Sequence, residues 1–267
     1  MEETSDNQLE EPILLRSDDG GVTTLTLNQP RSYNVLSDRM VSSLQAELDA
    51  IAEDDSVRVV IIAASGRAFC AGQDLKEMRS NEAHTHQQAI FNQSSHLMLS
   101  INRLPQPVIA SVSGVAAAAG CQLVASCDLA VAVEEARFAV SGINLGLFCS
   151  TPAVPLSRNL PAKQALSMLL TGDFISADEA LQYGLVNAVV PASELVSATH
   201  ELASKIVARS ALAIRLGKEM FYRQLSMDLP DAYAYASERM VCNMTSHDAK
   251  EGIDAFIQKR KPEWKHR

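Results

Sequence analysis

A chain of 267 residues with 47% hydrophobic and 21% charged side chains has an ordinary globular balance and enough material for a large core. A formal net charge of −9 argues against a surface built to coat nucleic acid, and the sequence has no run of about 18 apolar residues that could span a bilayer. Five cysteines without a CxxC pair read as reduced thiols, not as a disulfide framework. The start, MEETSDNQLEE, is acidic and polar, unlike a secretory signal or an Arg-rich transit peptide. These features lead to the expectation of a cytoplasmic protein with a mobile tail over residues 1–11.

After that tail, EPILLRSDDGGVTTLTLNQP predicts two strands turning at Gly20 and Gly21. SDRMVSSLQAELDAIAEDD carries Met40, Leu44, Leu48 and Ile51 at helical spacing. VRVVIIAAS (57–65) is short, apolar and β-branched, which predicts a parallel strand buried on both faces. PVIASVSG (107–114) and DLAVAV (128–133) repeat the pattern, and a helical stretch ending near Arg103 separates the first two. This alternation predicts an α/β fold of parallel pairs joined by crossovers. His84 and His86 in EAHTHQQ have no acidic or thiol partner at ligand spacing, so they read as a solvated loop and no metal site is expected. Beyond residue 150 helical periods dominate, in KQALSMLLTG, SADEALQYG, SELVSATHELASKIVARS and ALAIRLGKEMFYRQL, with the short strand GLVNAVV between them. Ser176 and Glu179 have capping-box spacing, and Gly172, Gly184 and Gly217 read as punctuation. DAKEGIDAFIQKRKPEW reads as a basic helix stopped by Pro262. The expected division is a tail (1–11), an α/β core (12–200) and a helical region (201–267).

Two turns carry more than architecture. GRAFCAGQDLKEM (66–78) follows the first buried strand, and Gly72 lets its backbone turn sharply where α/β sheets bind ligands. GVAAAAGCQLVASCD (114–128) follows the second, and its small-residue turn runs into a helix beginning near Gly120. The first N–H groups of such a helix are unpaired and carry a positive partial charge. Two turns from neighbouring strands can aim two N–H donors at one carbonyl oxygen, which is an oxyanion hole. The same alanines also suit plain close packing. Neither turn is a nucleotide phosphate loop of the GxGxxG or GxxxxGK[ST] kind.

AFCAGQDLKEM, PVIASVSGVAAAAGCQLVASCDLAVA, LTGDFISADEALQYGLVNAVVP and EGIDAFIQKRKP, in that order within residues 12–262, resemble the crotonase family, the enoyl-CoA hydratase/isomerase superfamily. The resemblance implies a spiral of ββα units with a C-terminal helical trimerisation region, assembled as a trimer or a dimer of trimers. It implies an acyl-CoA thioester as ligand, with CoA entering as part of the substrate and no other cofactor. Lyase or isomerase chemistry in fatty acid metabolism follows, with neither nucleic acid nor membrane as partner. Matched motif by motif, the backbone N–H groups of Gln73 and Ala119 become the oxyanion donors. Ala119 stands where the family usually has glycine, which implies a narrower hole so long as its φ is negative. CoA contacts fall on Arg31, Tyr33, Ala71, Gln73, Asp74, Leu75, Lys76 and Ala119. Phe256 and Lys259 match residues often contributed by a neighbouring subunit, and basic side chains suit the CoA phosphates.

The sequence departs from the family where water is added. The two hydratase glutamates match Gln122 and Gly142, and a third acid position matches Ser150. An amide orients water without taking its proton, and glycine offers no side chain. A positioned acid or base contributes about 10²–10⁴-fold, so ordinary hydration is not expected. Gln122 and Ser150 stay as polar candidates, beside Asn144, Cys149, Thr151 and His96. The expected function is a thioester enzyme that stabilises an enolate. A non-catalytic acyl-CoA-binding protein and a decarboxylase or thioesterase type of relative are the alternatives.

Overall fold

The computed structural model describes residues 11–267; the expected tail lies almost wholly outside them. The hairpin forms as expected, β1 (Leu14–Asp19) against β2 (Val22–Leu27), closed through Gly20 and Gly21, both at positive φ. Parallel strands then add beside it: β3 (Val59–Ala64), β5 (Val108–Val112), β7 (Leu129–Val133) and β10 (Ala188–Val190), in the order β1-β2-β3-β5-β7-β10. Each central strand leads within a few residues into a short strand of a second sheet: β4 (Ala68–Cys70), β6 (Val115–Ala117) and β8 (Arg137–Ala139), with β9 (Ile175–Ser176) at its edge. The chain therefore coils, visiting the large sheet, then the small sheet, then a helix.

Side chains alternate across β3. Val60 and Ile62 join the main core with Leu25, Leu44, Phe69 and Phe138, whereas Val59 and Ile61 pack on the opposite face with Ala203. Ala203 belongs to α8 (Leu195–Val207), which lies against β3, β5 and β7 and runs across residue 200. The first helix, α1 (Asp38–Ala52), buries Met40, Leu44, Leu48 and Ile51 and is capped by Ser37, whose hydroxyl accepts from the Met40 N–H. The stretch ending at Arg103 is two helices, α2 (Leu75–Ser80) and α3 (His84–Arg103). His84 and His86 thus sit on the first turn of α3, not in a loop, and among the described residues no group of three His, Cys, Asp or Glu side chains could hold a metal. No described helix is long and apolar enough to cross a membrane.

Next come α4 (Ala119–Ser126), buried along its whole length, then α5 (Ser150–Asn159), α6 (Ala162–Thr171) and α7 (Ala177–Tyr183). The Ser176–Glu179 capping box is present at the start of α7, and Gly172 and Gly184 end α6 and α7 in the left-handed region. Gly217 does not punctuate. It lies inside α9 (Ala211–Gln224), where a Cβ would meet nothing within 4 Å. After α10 (Leu229–Met244), the last helix, α11 (His247–Ile257), ends five residues before Pro262, with Lys259 at φ 53°.

The C-terminal segment is clasped to the start of α11. Asp248 accepts from the Ser210 hydroxyl and from the backbone N–H groups of Lys265 (2.7 Å) and His266 (2.9 Å), while the Trp264 indole donates to the Ala208 carbonyl at 2.9 Å. Burial pushes the Asp248 carboxyl up, but these donors outweigh it and hold the group below its ordinary value. The stabilisation is therefore complete above the unfolded value of about 4 and is lost as pH falls through the lower folded one. Trp264 is the only tryptophan in the chain. Its fluorescence should report release of the clasp in acid, and Asp248→Asn should abolish that acid step.

Candidate functional site

Four segments distant in sequence converge on a cleft of about 920 Å³ at the ends of β4 and β6. The first is the turn 29–35. Its anchor is Asn34, fully buried at positive φ, whose side chain accepts from the Gln29 N–H (2.8 Å) and donates to the Ser65 (2.9 Å) and Ala68 (2.8 Å) carbonyls. All of its bonds are internal, so the wall is rigid. Arg31 and Tyr33 project from it; the Arg67 guanidinium lies 4.8 Å over the Tyr33 ring and also donates to its hydroxyl.

The second segment is the turn out of β4. Ala71, Gln73, Asp74, Leu75, Lys76 and Met78 line the cleft. Asp74 caps α2, accepting from the Lys76 (2.8 Å) and Glu77 (3.4 Å) N–H groups, and the Gln73 side chain donates to the Ser94 hydroxyl. The third is the turn out of β6 into α4. A Cβ built on Gly72 would sit 3.0 Å from the Ala118 Cβ and 3.4 Å from the Ala119 nitrogen, so the two turns touch. Among the described residues neither the Gln73 nor the Ala119 N–H donates to a protein acceptor. Ala119 opens α4 with ordinary helical backbone; the positive φ, 48°, falls one residue earlier on Ala118. That conformation suits glycine and costs alanine on the order of 1–3 kcal/mol. Ala118→Gly should therefore stabilise the fold by about 1 kcal/mol after the entropy of the freer unfolded chain is subtracted, read as a rise in the denaturation midpoint.

The fourth segment, 141–152, carries Leu145, Leu147 and Phe148, all largely exposed, and brings Cys149, Ser150 and Thr151 to the cleft. Ser150 is exposed and donates to the Phe148 carbonyl at 3.3 Å. Burial pushes the Cys149 thiol up against a hydrogen bond to the Gly142 backbone, so it stays protonated at neutral pH. Burial pushes Cys70 and Cys121 up to about 12. Among the described lining residues the one carboxylate is Asp74, already committed to capping.

The cleft thus gathers Arg31, Tyr33, Ala71, Gln73, Asp74, Leu75, Lys76, Ala119 and Ser150, and not Gln122, Phe256 or Lys259. Gln122 is buried within α4 and does not line it. Phe256 is on α11, 85% exposed, and Lys259 follows that helix. His96 is exposed on α3, away from the cleft. Sequence reasoning missed Val35, Met78, Phe91, Leu145, Leu147, Phe148 and Arg67. No local pattern marks them; only the coil brings them together.

A family model described as enoyl-CoA hydratase/isomerase matches residues 17–267. The chain belongs to that family. Its crotonase fold agrees with an enoyl-CoA hydratase structure from Mycobacterium smegmatis, at TM-score 0.94 and 54% identity over 95% of this chain and 99% of that one. In Xenopus laevis, the mitochondrial enoyl-CoA hydratase domain-containing protein 3 is 48% identical over 255 residues, 96% of this chain and 87% of the relative. The protein of the same name in Homo sapiens is 48% identical over 246 residues, 92% of this chain and 81% of the relative. These mitochondrial names overturn the cytoplasmic location expected from the acidic start and the free cysteines. Reduced thiols report the redox state of a compartment and not its address. In this member of the enoyl-CoA hydratase/isomerase family, the oxyanion and CoA assignments fall on one continuous cleft, except those on Phe256 and Lys259.

Proposed function

We propose that the chain binds acyl-CoA thioesters and stabilises the thioester enolate between the Gln73 and Ala119 N–H groups, without hydrating the acyl double bond. The observation that carries this reading is the pairing of two unengaged backbone donors with a cleft that has no free carboxylate. The donors would polarise the thioester carbonyl, while Asp74 is tied to α2 and the Cys149 thiol is pushed up. Arg31, Lys76 and Arg67 supply positive charge for the CoA phosphates, and Tyr33, Ala71 and Leu75 supply contact surface. CoA is part of the ligand, and no further cofactor is invoked. The same lack of a proton-moving group favours a second reading, in which the thioester is bound and not turned over.

Phe256 and Lys259 would serve the cleft of a neighbouring chain. The apolar side chains that α9, α10 and α11 leave uncovered, among them Phe221, Leu229, Met240, Val241 and Ile257, support a trimer or a dimer of trimers. Ser150 is proposed to orient the ligand without transferring protons.

Crotonyl-CoA tests the reading. Calorimetry should show binding, the bound thioester carbonyl stretch should move to lower frequency, and the enoyl absorbance should not decay. Rapid hydration would overturn it. Restoring both acids with Gln122→Glu and Gly142→Glu should still give no hydratase, because a Cβ at 142 would lie 2.6 Å from the Cys149 sulfur and 2.8 Å from the Leu147 carbonyl oxygen. The backbone oxygen cannot yield as a flexible side chain can.

A further inference from the structure

A second and much smaller cavity, of about 50 Å³, lies between the start of α9 and the chain entering β3 and β5. The turn after α1 brings Asp55 to it, the entry to β3 brings Arg58, the approach to β5 brings Gln106, and α9 brings Arg215. It shares no lining residue with the cleft. Arg58 is half-buried and fixed in place. A Cβ on Gly21 would stand 3.0 Å from its Cγ, its Nη2 donates to the Arg209 carbonyl at 2.8 Å, and its Nη1 lies 3.2 Å from His266 Nε2. Neither Arg58 nor the exposed Arg215 forms an ion pair among the described residues. Burial pushes the Arg58 guanidinium down against the pull of the buried Asp248. A guanidinium drawn partly out of water normally keeps a counter-charge beside it, so this one marks a seat for an anion. The chain carries −9 overall, yet here the balance reverses: Arg209 and His266 touch Arg58, and Lys265 and Arg267 flank His266 in sequence.

Two acceptors in the same wall narrow the choice of anion. Gln106 is 8% exposed; its Nε2 is spent on the Ile51 (2.9 Å) and Asp54 (3.3 Å) carbonyls, and its Oε1 is buried without a hydrogen-bond partner among the described residues. Asp55 adds a carboxylate that forms no ion pair among those residues. A buried acceptor left alone is costly, so a donor belongs beside it. An anion without a proton would set its lone pairs against both groups, whereas an oxyanion that keeps one can donate a bond while accepting others. The volume is that of several waters, the space of one small tetrahedral ion. We propose that this cavity binds a phosphate oxyanion that keeps a proton, held by Arg58 and Arg215 with its P–OH turned to Gln106 Oε1. Its occupancy braces the start of α9 against the chain entering β3 and β5.

The test titrates inorganic phosphate and sulfate into the full chain by calorimetry, in chloride buffer of matched ionic strength. Phosphate should fill one site with a dissociation constant on the order of 0.1 mM, and sulfate, which has no proton to give, should bind about tenfold more weakly or worse. At about a hundred times its dissociation constant, phosphate should raise the midpoint of thermal unfolding by about 5 °C. Arg215 makes no bond among the described residues, so Arg215→Met should fold as the parent does. It should bind phosphate about tenfold more weakly, the loss of one charge-assisted contact. Glycerol 3-phosphate separates the two sources of such a group. Affinity equal to that of inorganic phosphate assigns the seat to a phosphomonoester, and affinity about tenfold weaker assigns it to the free ion. Sulfate binding as tightly as phosphate would overturn the proposal. So would an absence of phosphate binding up to about 10 mM, or an unchanged phosphate affinity in Arg215→Met.

Discussion

Lys218→Met should lower the stability of the fold by about 3–5 kcal/mol, because it strips the partner from a buried charge. Lys218 projects from α9 into the body of the molecule, its side chain only 7% exposed. Its ammonium donates to Asp128 (2.7 Å) and to the Ile101 and Gln106 carbonyls (both 2.9 Å). Asp128 in turn accepts from the Val108 N–H at 2.7 Å and from the Tyr222 hydroxyl at 2.8 Å. Burial pushes the Lys218 ammonium down while Asp128 pulls it up, and burial together with the same carboxylate raises the Tyr222 phenol. Methionine keeps the packing of the stem and leaves Asp128 without its counter-charge. The midpoint of thermal unfolding should fall on the order of 10 °C. Asp128→Asn added to Lys218→Met removes the stranded charge and should recover a large part of the loss. If the single variant unfolds within a degree of the parent, the pair is not holding α9 to the core.

Gly120→Ala should damage both fold and cleft. A Cβ there would stand 2.1 Å from the Cys70 carbonyl oxygen and 2.8 Å from the Cys70 carbonyl carbon, both backbone atoms of the neighbouring coil. Relief requires α4 to move away from β4, at a cost of about 3 kcal/mol. The movement separates the Ala119 N–H from the Gln73 turn, so thioester affinity should fall at least tenfold in whatever protein still folds. Gly217→Ala is the control. Its Cβ meets nothing within 4 Å, and a gain of about 0.5–1 kcal/mol is expected from helix propensity, with binding unchanged.

What the sequence made legible follows from how strongly each element is patterned. β3, β5 and β7 are buried on both faces and so read as unbroken apolar runs; α1 shows one apolar stripe because one face is buried. β4, β6 and β8 have three residues each, too few to show any period, and yet they form the sheet from which the cleft opens. α3 begins after Ala83, which offers no side-chain cap and so removes the usual start signal, and α10 buries no residue in the single chain, which removes the stripe. The cleft residues on the two turns were legible through motif resemblance. Leu145, Leu147 and Phe148 were not, since an apolar loop signals a site only once its neighbours in space are known.

The cleft divides its labour between two kinds of segment. The paired turns at Gly72 and Ala119 are locked against each other and against a wholly buried helix, so change there is punished by loss of the fold. The segment 141–149 is a short 3₁₀ turn followed by loop, exposed over residues 144–148. Natural variation can therefore rewrite the reaction by exchanging that segment while inheriting the grip on the thioester unchanged. A scaffold arranged this way offers a new chemistry at the cost of a loop, and in this chain that loop sets Gly142 directly against the Cys149 sulfur.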